Sequence, residues 1–291
     1  MPAAETEISV ELVRALLADQ HPDLAGLDLR FENEGWDSAI YRLGSDLAVR
    51  LPRRAINAAL LPDELRWIPE LAPQLPLPVS APVRAGEPGH GFPWPWSITP
   101  WFDGASWADD DVDDAVLAGR VLGDFVRALG TDAPADAPTT PYRGGPLTDR
   151  DAGVRDRVAV LGDTIDAAAV MALWDAALAA PVATRRVWNH GDLHPANIVV
   201  NEGRLAAVID WVDLNGGDRA YDLAAAWICF TDVDARAAFV AAAAEDDHAT
   251  WVRARGCALS HALACLASSS DNPRMHAVGR RTLEAVLGDR F

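Results

Sequence analysis

The stretch "VWNHGDLHPANIVVNEGRLAAVIDW", residues 187–211, places His190, Asp192 and Asn197 on one tight turn and Asp210 at the end of the next apolar run. Phosphoryl transfer to a hydroxyl calls for these residue types at this spacing: an Asp to accept the proton of the attacking hydroxyl and an Asn five residues on to hold magnesium. A second metal-holding Asp must come from a neighbouring strand, because a hard dication bridging two phosphates takes oxygen ligands from separate chain segments. Asp210, after the alternating Leu205, Ala207 and Ile209, stands where such a strand ends. The competing reading of "HGDLHPAN" is a hairpin loop, since Asp and Asn settle in turns by bonding nearby amides.

Further along, "DLNGGDRAYDLAAAW" puts Asp218 and Asp222 at a helix start, where carboxylates suit the dipole and the orphan amides. Four carboxylates then share one region, an arrangement that is costly unless a cation or hydrogen bonds compensate it.

In "HGDLHPANIVV", "VIDW" and "GDRAYDLA" the chain resembles the aminoglycoside phosphotransferase family, antibiotic and small-molecule kinases that share the protein-kinase fold. Weaker family features run from about residue 30 to residue 104. The resemblance implies Asp192 as catalytic base, Asn197 and Asp210 as magnesium ligands, and His190 and Asp222 as braces of the loop. It implies an α+β, bilobal kinase-like fold, with a small antiparallel-sheet N-lobe and a larger, mainly helical C-lobe. It also implies transfer of the γ-phosphate of ATP or GTP to a hydroxyl of an aminoglycoside-like or other antibiotic, with a metabolite acceptor as the alternative.

All 25 basic residues are Arg, so a phosphate-binding lysine cannot exist here. The strand-like "DLAVRLPRR" offers Arg50, placed about where the family has its lysine. A guanidinium holds phosphate oxygens bidentately and keeps its charge, so the exchange is chemically workable. Its acidic partner by resemblance is Glu64, in "LPDELRWIPELA". The other reading of Arg50 is a strand residue facing a surface acid. Upstream, "FENEGWDSAIYRLG" is the turn expected to cover the nucleotide phosphates, and it holds Gly35 alone in its interior, so most of the close backbone approach that glycines permit is missing. Ser38 is a phosphate donor by analogy with relatives, or an ordinary turn serine. Glycine poverty and the missing lysine keep open a non-catalytic, pseudokinase-like scaffold.

The 291 residues are half hydrophobic, enough for two cores, and no 18-residue apolar run suggests a membrane span. The acidic, amphipathic start "MPAAETEISVELVRALLADQ" is unlike a signal peptide, which makes the cytoplasm the expected location. The expected state is a monomer or weak dimer. Cys229, Cys257 and Cys265 lack metal spacing and read as core thiols. A net charge of −18 argues against nucleic-acid or anionic-membrane partners and is compatible with a cationic small-molecule substrate. The run "DDDVDD" at 109–114 is either a field that gathers such a substrate or a solvated helix start.

Composition divides the chain into an N-terminal nucleotide-binding lobe over 1–98, a hinge over 99–104 and a catalytic and substrate-binding lobe over 105–291. In the hinge, backbone around Thr99 and Trp101 can read a purine edge; Trp94, Trp96 and Trp101 line that region or pack as core. Helices are expected near 55–72, from Ala115 to Gly130, over most of 151–180, and over 218–245, 247–269 and 274–288, with a Pro- and Gly-rich loop at 131–148. His194 has no assigned role. A zinc hydrolase using His190, Asp192 and His194 is a competing reading that lacks a further His or Cys cluster.

Overall fold

The computed structural model describes residues 3–140 and 143–289. The chain forms two compact units. The first comprises the residues up to Pro73, Pro78–Asp103 and Asp210–Val212. It contains α1 (Val10–Gln20), β1 (Leu29–Glu34), β2 (Ser38–Leu43), β3 (Leu47–Pro52), α2 (Ala55–Ala58), α3 (Leu61–Leu71), β4 (Arg84–Gly86) and β5 (Trp96–Pro100). The strands make one antiparallel sheet in the order β1-β2-β3-β5-β4. Period-two alternation puts Ala39, Tyr41 and Leu43 of β2 on one face. There they join Val13, Leu16 and Leu17 of α1 and the fully buried Trp96 in one cluster. Side chains of this size contribute roughly 1.5–3 kcal/mol each when fully buried. Trp96 also finds a hydrogen-bond acceptor, its Nε1 donating to Glu87 O at 3.1 Å. It is core rather than cleft lining.

The helix expected over 55–72 is two helices. Pro62 stands in the first turn of α3, where its missing N–H costs nothing, but its ring opposes the carbonyl four residues back and so stops α2 from running on.

The second unit comprises Gln74–Leu77, Gly104–Ile209 and the residues from Asp213 onward. It holds β6 (Ala105–Ser106), α4 (Ala115–Leu129), α5 (Asp151–Leu161), α6 (Ala167–Ala179), β7 (Val187–Asn189), β8 (Ile198–Asn201), β9 (Arg204–Val208) and β10 (Asn215–Gly217). It continues with α7 (Ala220–Leu223), α8 (Ala225–Ile228), α9 (Val233–Ala243), α10 (His248–Ser268) and α11 (Pro273–Gly288). Two small sheets, β6-β8-β9 and β10-β7, sit among the helices. The acidic run proves structural at two points: Asp114 caps α4 by accepting from Leu117 N at 2.8 Å, and Asp109 pairs with Arg274. Gly119 and Gly123 let α4 approach α9 closely, because a Cβ at either would lie 2.2 Å from Ala235 O or 2.5 Å from Phe239 O. The single helix expected over 218–245 is three. Asp232 explains the last break, its side chain capping α9 through Ala235 N at 2.8 Å. Of the 131–148 loop, Pro141 and Tyr142 lie outside the described residues. Among the described residues no helix is long and apolar enough to cross a membrane.

Candidate active site

Buried carboxylate chemistry shapes the turn that follows β7. Asp222, on α7, accepts the backbone N–H of His190 at 2.8 Å and of Gly191 at 2.9 Å. Burial pushes its pKa up, against the pull of His190 and those two amides. Gly191 has φ +86°, and a Cβ there would lie 2.4 Å from Asp213 O, so the turn requires glycine. His190 is fully committed: Nδ1 accepts from Asp192 N at 3.3 Å and Nε2 donates to Ile209 O at 3.0 Å. Neither nitrogen is left for a metal, and among the described residues no three His, Cys, Asp or Glu side chains group as a metal site. That removes the basis of the zinc reading.

Asn197 closes the loop from the other side. Its Nδ2 donates to Asp192 O at 2.9 Å, which orients the amide, and among the described residues no donor reaches its Oδ1. The backbone N–H of Ile209, immediately before Asp210, donates to Asn197 O at 2.9 Å.

Both oxygens of Asp192 meet donors: Arg143, which the sequence did not single out, and His194, which it named without a settled role. Arg143 Nη2 lies 2.7 Å from Oδ1, and its Nε lies 3.8 Å from Asp213. His194 Nδ1 accepts from Ala196 N at 3.2 Å, so its proton sits on Nε2, 3.2 Å from Asp192 Oδ2. Burial works to raise the Asp192 pKa, but Arg143 and then His194 hold it well below the ordinary value. Burial likewise works against the charge of Arg143, which the carboxylates of Asp192 and Asp213 nevertheless push above its usual range. Asp218 is compensated in the same manner, by Arg253 Nε at 2.6 Å. The carboxylates near the loop are thus each met by guanidinium, imidazole or amide groups.

In the first unit, β3 points Arg50 at two acids. Nη1 lies 3.1 Å from Glu64 Oε2 on α3, and Nη2 lies 3.2 Å from Asp210 Oδ1. Burial opposes the Arg50 charge, while Glu64 and Asp210 raise its pKa; burial raises that of Glu64 although Arg50 pulls it down. Asp210 has φ +64°, a left-handed conformation that costs a non-glycine residue on the order of 1–3 kcal/mol and that persists where surrounding structure enforces it. Ser38 opens β2, its carbonyl accepting from Gly35 N at 2.9 Å, and among the described residues its hydroxyl has no partner. The glycine-poor hairpin is instead fastened by Arg53, which donates to Gly35 O at 3.1 Å, and by a bond from Asn57 to Asp37. Thr99 is buried in β5 opposite Ala48. Trp101 donates its N–H to Asp46 O at 2.8 Å, and its ring lies 4.4 Å under Arg42. Both its backbone donor and its ring are therefore engaged, and Phe102 carries the next N–H along.

The sequence model of the phosphotransferase enzyme family matches residues 28–257. The chain belongs to that family. Among curated proteins none matches. Solved phosphotransferases share its fold. The GDP and kanamycin complex of APH(2")-IIia superposes with a TM-score of 0.68 at 19% identity, covering 96% of this chain and 99% of that one. Macrolide 2'-phosphotransferase MphH from Brachybacterium faecium, as apoenzyme, gives 0.61 at 24% identity, covering 97% and 99%. The streptomycin–ATP complex of APH(2")-IIa gives 0.62 at 14%, covering 95% and 99%. This phosphotransferase thus has the kinase-like fold, a five-stranded antiparallel sheet in one unit and a mainly helical second unit.

Proposed function

We propose that the protein transfers the γ-phosphoryl group of ATP or GTP to a hydroxyl of a small molecule, with Asp192 as catalytic base. The observation that carries this reading is the loop held by Asp222, in which the amide nitrogen of Asn197 is tied to Asp192 O while its oxygen is free of protein donors. A neutral oxygen ligand so oriented suits a hard dication. Asn197 and Asp210 would hold magnesium, which when bound neutralises and orients the donor phosphates. Arg50 steadies those phosphates with a charge that burial does not remove, and Ser38 offers an unpartnered hydroxyl to them. The N–H of Phe102 is a donor for the purine edge. Asp192 orients the acceptor hydroxyl and takes its proton, and as a carboxylate held ionised it acts chiefly by positioning. His194 keeps Oδ2 of that carboxylate oriented.

GDP, ATP, kanamycin and streptomycin complexes of the structural neighbours support a nucleotide donor and a small hydroxylated acceptor. Two acceptor readings stand, a hydroxyl of an antibiotic and a hydroxyl of a metabolite. Calorimetry of ATP and GTP with magnesium and with chelator, followed by a screen of hydroxylated antibiotics and metabolites for nucleoside diphosphate release, tests the assignment. Equal nucleotide affinity in both conditions counts against the metal ligands, and release that survives Asp192→Asn counts against the base.

A further inference from the structure

Beside Asp192 the second unit has a cavity of about 80 Å³ whose charge is opposite in sign to that of the chain. Its walls carry three guanidiniums, Arg143, Arg150 and Arg157, and one carboxylate, Asp192. His261 also faces it but adds no cation, because burial, followed by the neighbouring His194, lowers its pKa to about 3. Arg150 and Arg157 are seven residues apart on the chain segment that enters and forms α5, which brings both to one helix face. Arg143 is engaged with Asp192 and Asp213. The other two have no such counterion: among the described residues no carboxylate makes an ion pair with Arg150 or Arg157. Arg150 lies near Tyr221, whose phenol burial keeps neutral against the pull of Arg150, and the Nη2 of Arg150 is buried with no hydrogen-bond partner. Arg157 is crowded by like charge, since burial and then Arg150 and Arg143 push its pKa down against the weaker opposing pull of Asp156, which makes no ion pair with it.

Partly buried guanidiniums without counterions are unfavourable, and a protein that carries 43 acidic residues leaves these two unpaired. Planar guanidinium forks match the oxygens of a carboxylate or phosphate. An engineered cavity of about 150 Å³ takes a benzene ring, so this smaller space suits one compact polar group.

We propose that the acceptor carries an anionic group, a carboxylate or phosphate, which seats against Arg150 and Arg157 and presents a hydroxyl of the same molecule to Asp192. This rests on the phosphotransferase reading above and narrows it: a polyammonium acceptor would bring like charge to the cavity. Arg143 lies between the two functions, bound to Asp192 on one side and facing the anion on the other.

The test uses the full chain and titrates malonate, glycerol 3-phosphate, glycerol and kanamycin by calorimetry, with Mg–ATP titrated in parallel. Malonate and glycerol 3-phosphate are expected to bind saturably, while glycerol and kanamycin do not. Arg157→Gln should weaken both anions about tenfold or more, the loss of a charge-assisted hydrogen bond, and Arg157→Lys should restore part of that loss. Mg–ATP binding with no preference for the anions overturns the proposal, as does an Arg157→Gln variant that loses Mg–ATP affinity and not anion affinity, since the cluster would then serve the donor. Anion binding by a wild-type protein that does not bind Mg–ATP overturns the phosphotransferase reading and the acceptor role with it.

Discussion

Replacing Arg50 with Met would remove both arms of a fork that holds Glu64 at 3.1 Å and Asp210 at 3.2 Å. The two contacts are unequal. The Glu64 side chain is 5% exposed, so the change leaves a buried carboxylate with no cation, a loss that typically costs roughly 3–5 kcal/mol. The Asp210 side chain is 37% exposed, and solvent screening reduces its share to about 0–1 kcal/mol. The sum is dominated by Glu64, and at roughly 2–4 °C per kcal/mol for domains of 150–250 residues it predicts a fall in Tm of roughly 6–24 °C. Adding Glu64→Leu to Arg50→Met should recover most of that fall, because an apolar pair replaces a buried ion pair at little net cost. Arg50→Lys should be intermediate, since one ammonium cannot repeat a fork aimed at two acids. Scanning calorimetry reads the stability, and titration of Mg–ATP reads the anchor. A Tm for Arg50→Met within about 2 °C of wild type, less than 1 kcal/mol on that scale, would refute the reasoning, as would further destabilisation on adding Glu64→Leu.

Asp192→Asn should lower turnover by about 10² to 10⁴ while leaving Mg–ATP affinity nearly intact, as rapid-quench and binding measurements can establish. Asp222→Asn sets an amide N–H₂ against one of the two backbone donors, at 2.8 and 2.9 Å, and should cost about 1–3 kcal/mol in urea unfolding together with most activity. Gly123→Ala should destabilise by more than about 1 kcal/mol, since its Cβ would meet Phe239 O at 2.5 Å; a neutral result in thermal melts would place α4 farther from α9. Asp192, whose folded pKa is depressed, contributes stability above the ordinary carboxylate value, and that contribution is lost only as pH falls through its lower folded value. Arg143→Gln should therefore raise the pKa of Asp192 and move the acid limb of the rate profile to higher pH; an unmoved limb would mean that another group sets it.

Much of the fold was legible where its causes are local. Asp114 and Gly130 bracket α4 in the sequence as they do in space, because caps act within one turn. The turn from His190 to Asn197 announces itself for the same reason, its bonds spanning two to five residues. Long-range partners were partly legible: Glu64 was reached through family likeness, whereas Arg143 was not. It lies 49 residues from Asp192 in a Pro- and Gly-rich loop, with no periodicity to give it a direction. The pocket arginines escaped for a related reason. Net charge is a sum over the surface, and a local cluster of the minority sign is invisible in it. His194 was noticed but its part was not: an i to i+2 pair with Asp192 lies within one turn, yet which nitrogen meets the carboxylate depends on Ala196 N.

A guanidinium at the proposed phosphate anchor changes what alkaline conditions can do. Lysine ordinarily sheds its proton near pH 10.4, so an anchor built on it switches off as the medium becomes basic. Arg50 holds its proton above even the ordinary guanidinium range, because Glu64 and Asp210 outweigh the opposing effect of burial. Donor binding in this protein should persist up to the pH at which the fold itself fails, and an alkaline decline in turnover would report on the acceptor or the metal.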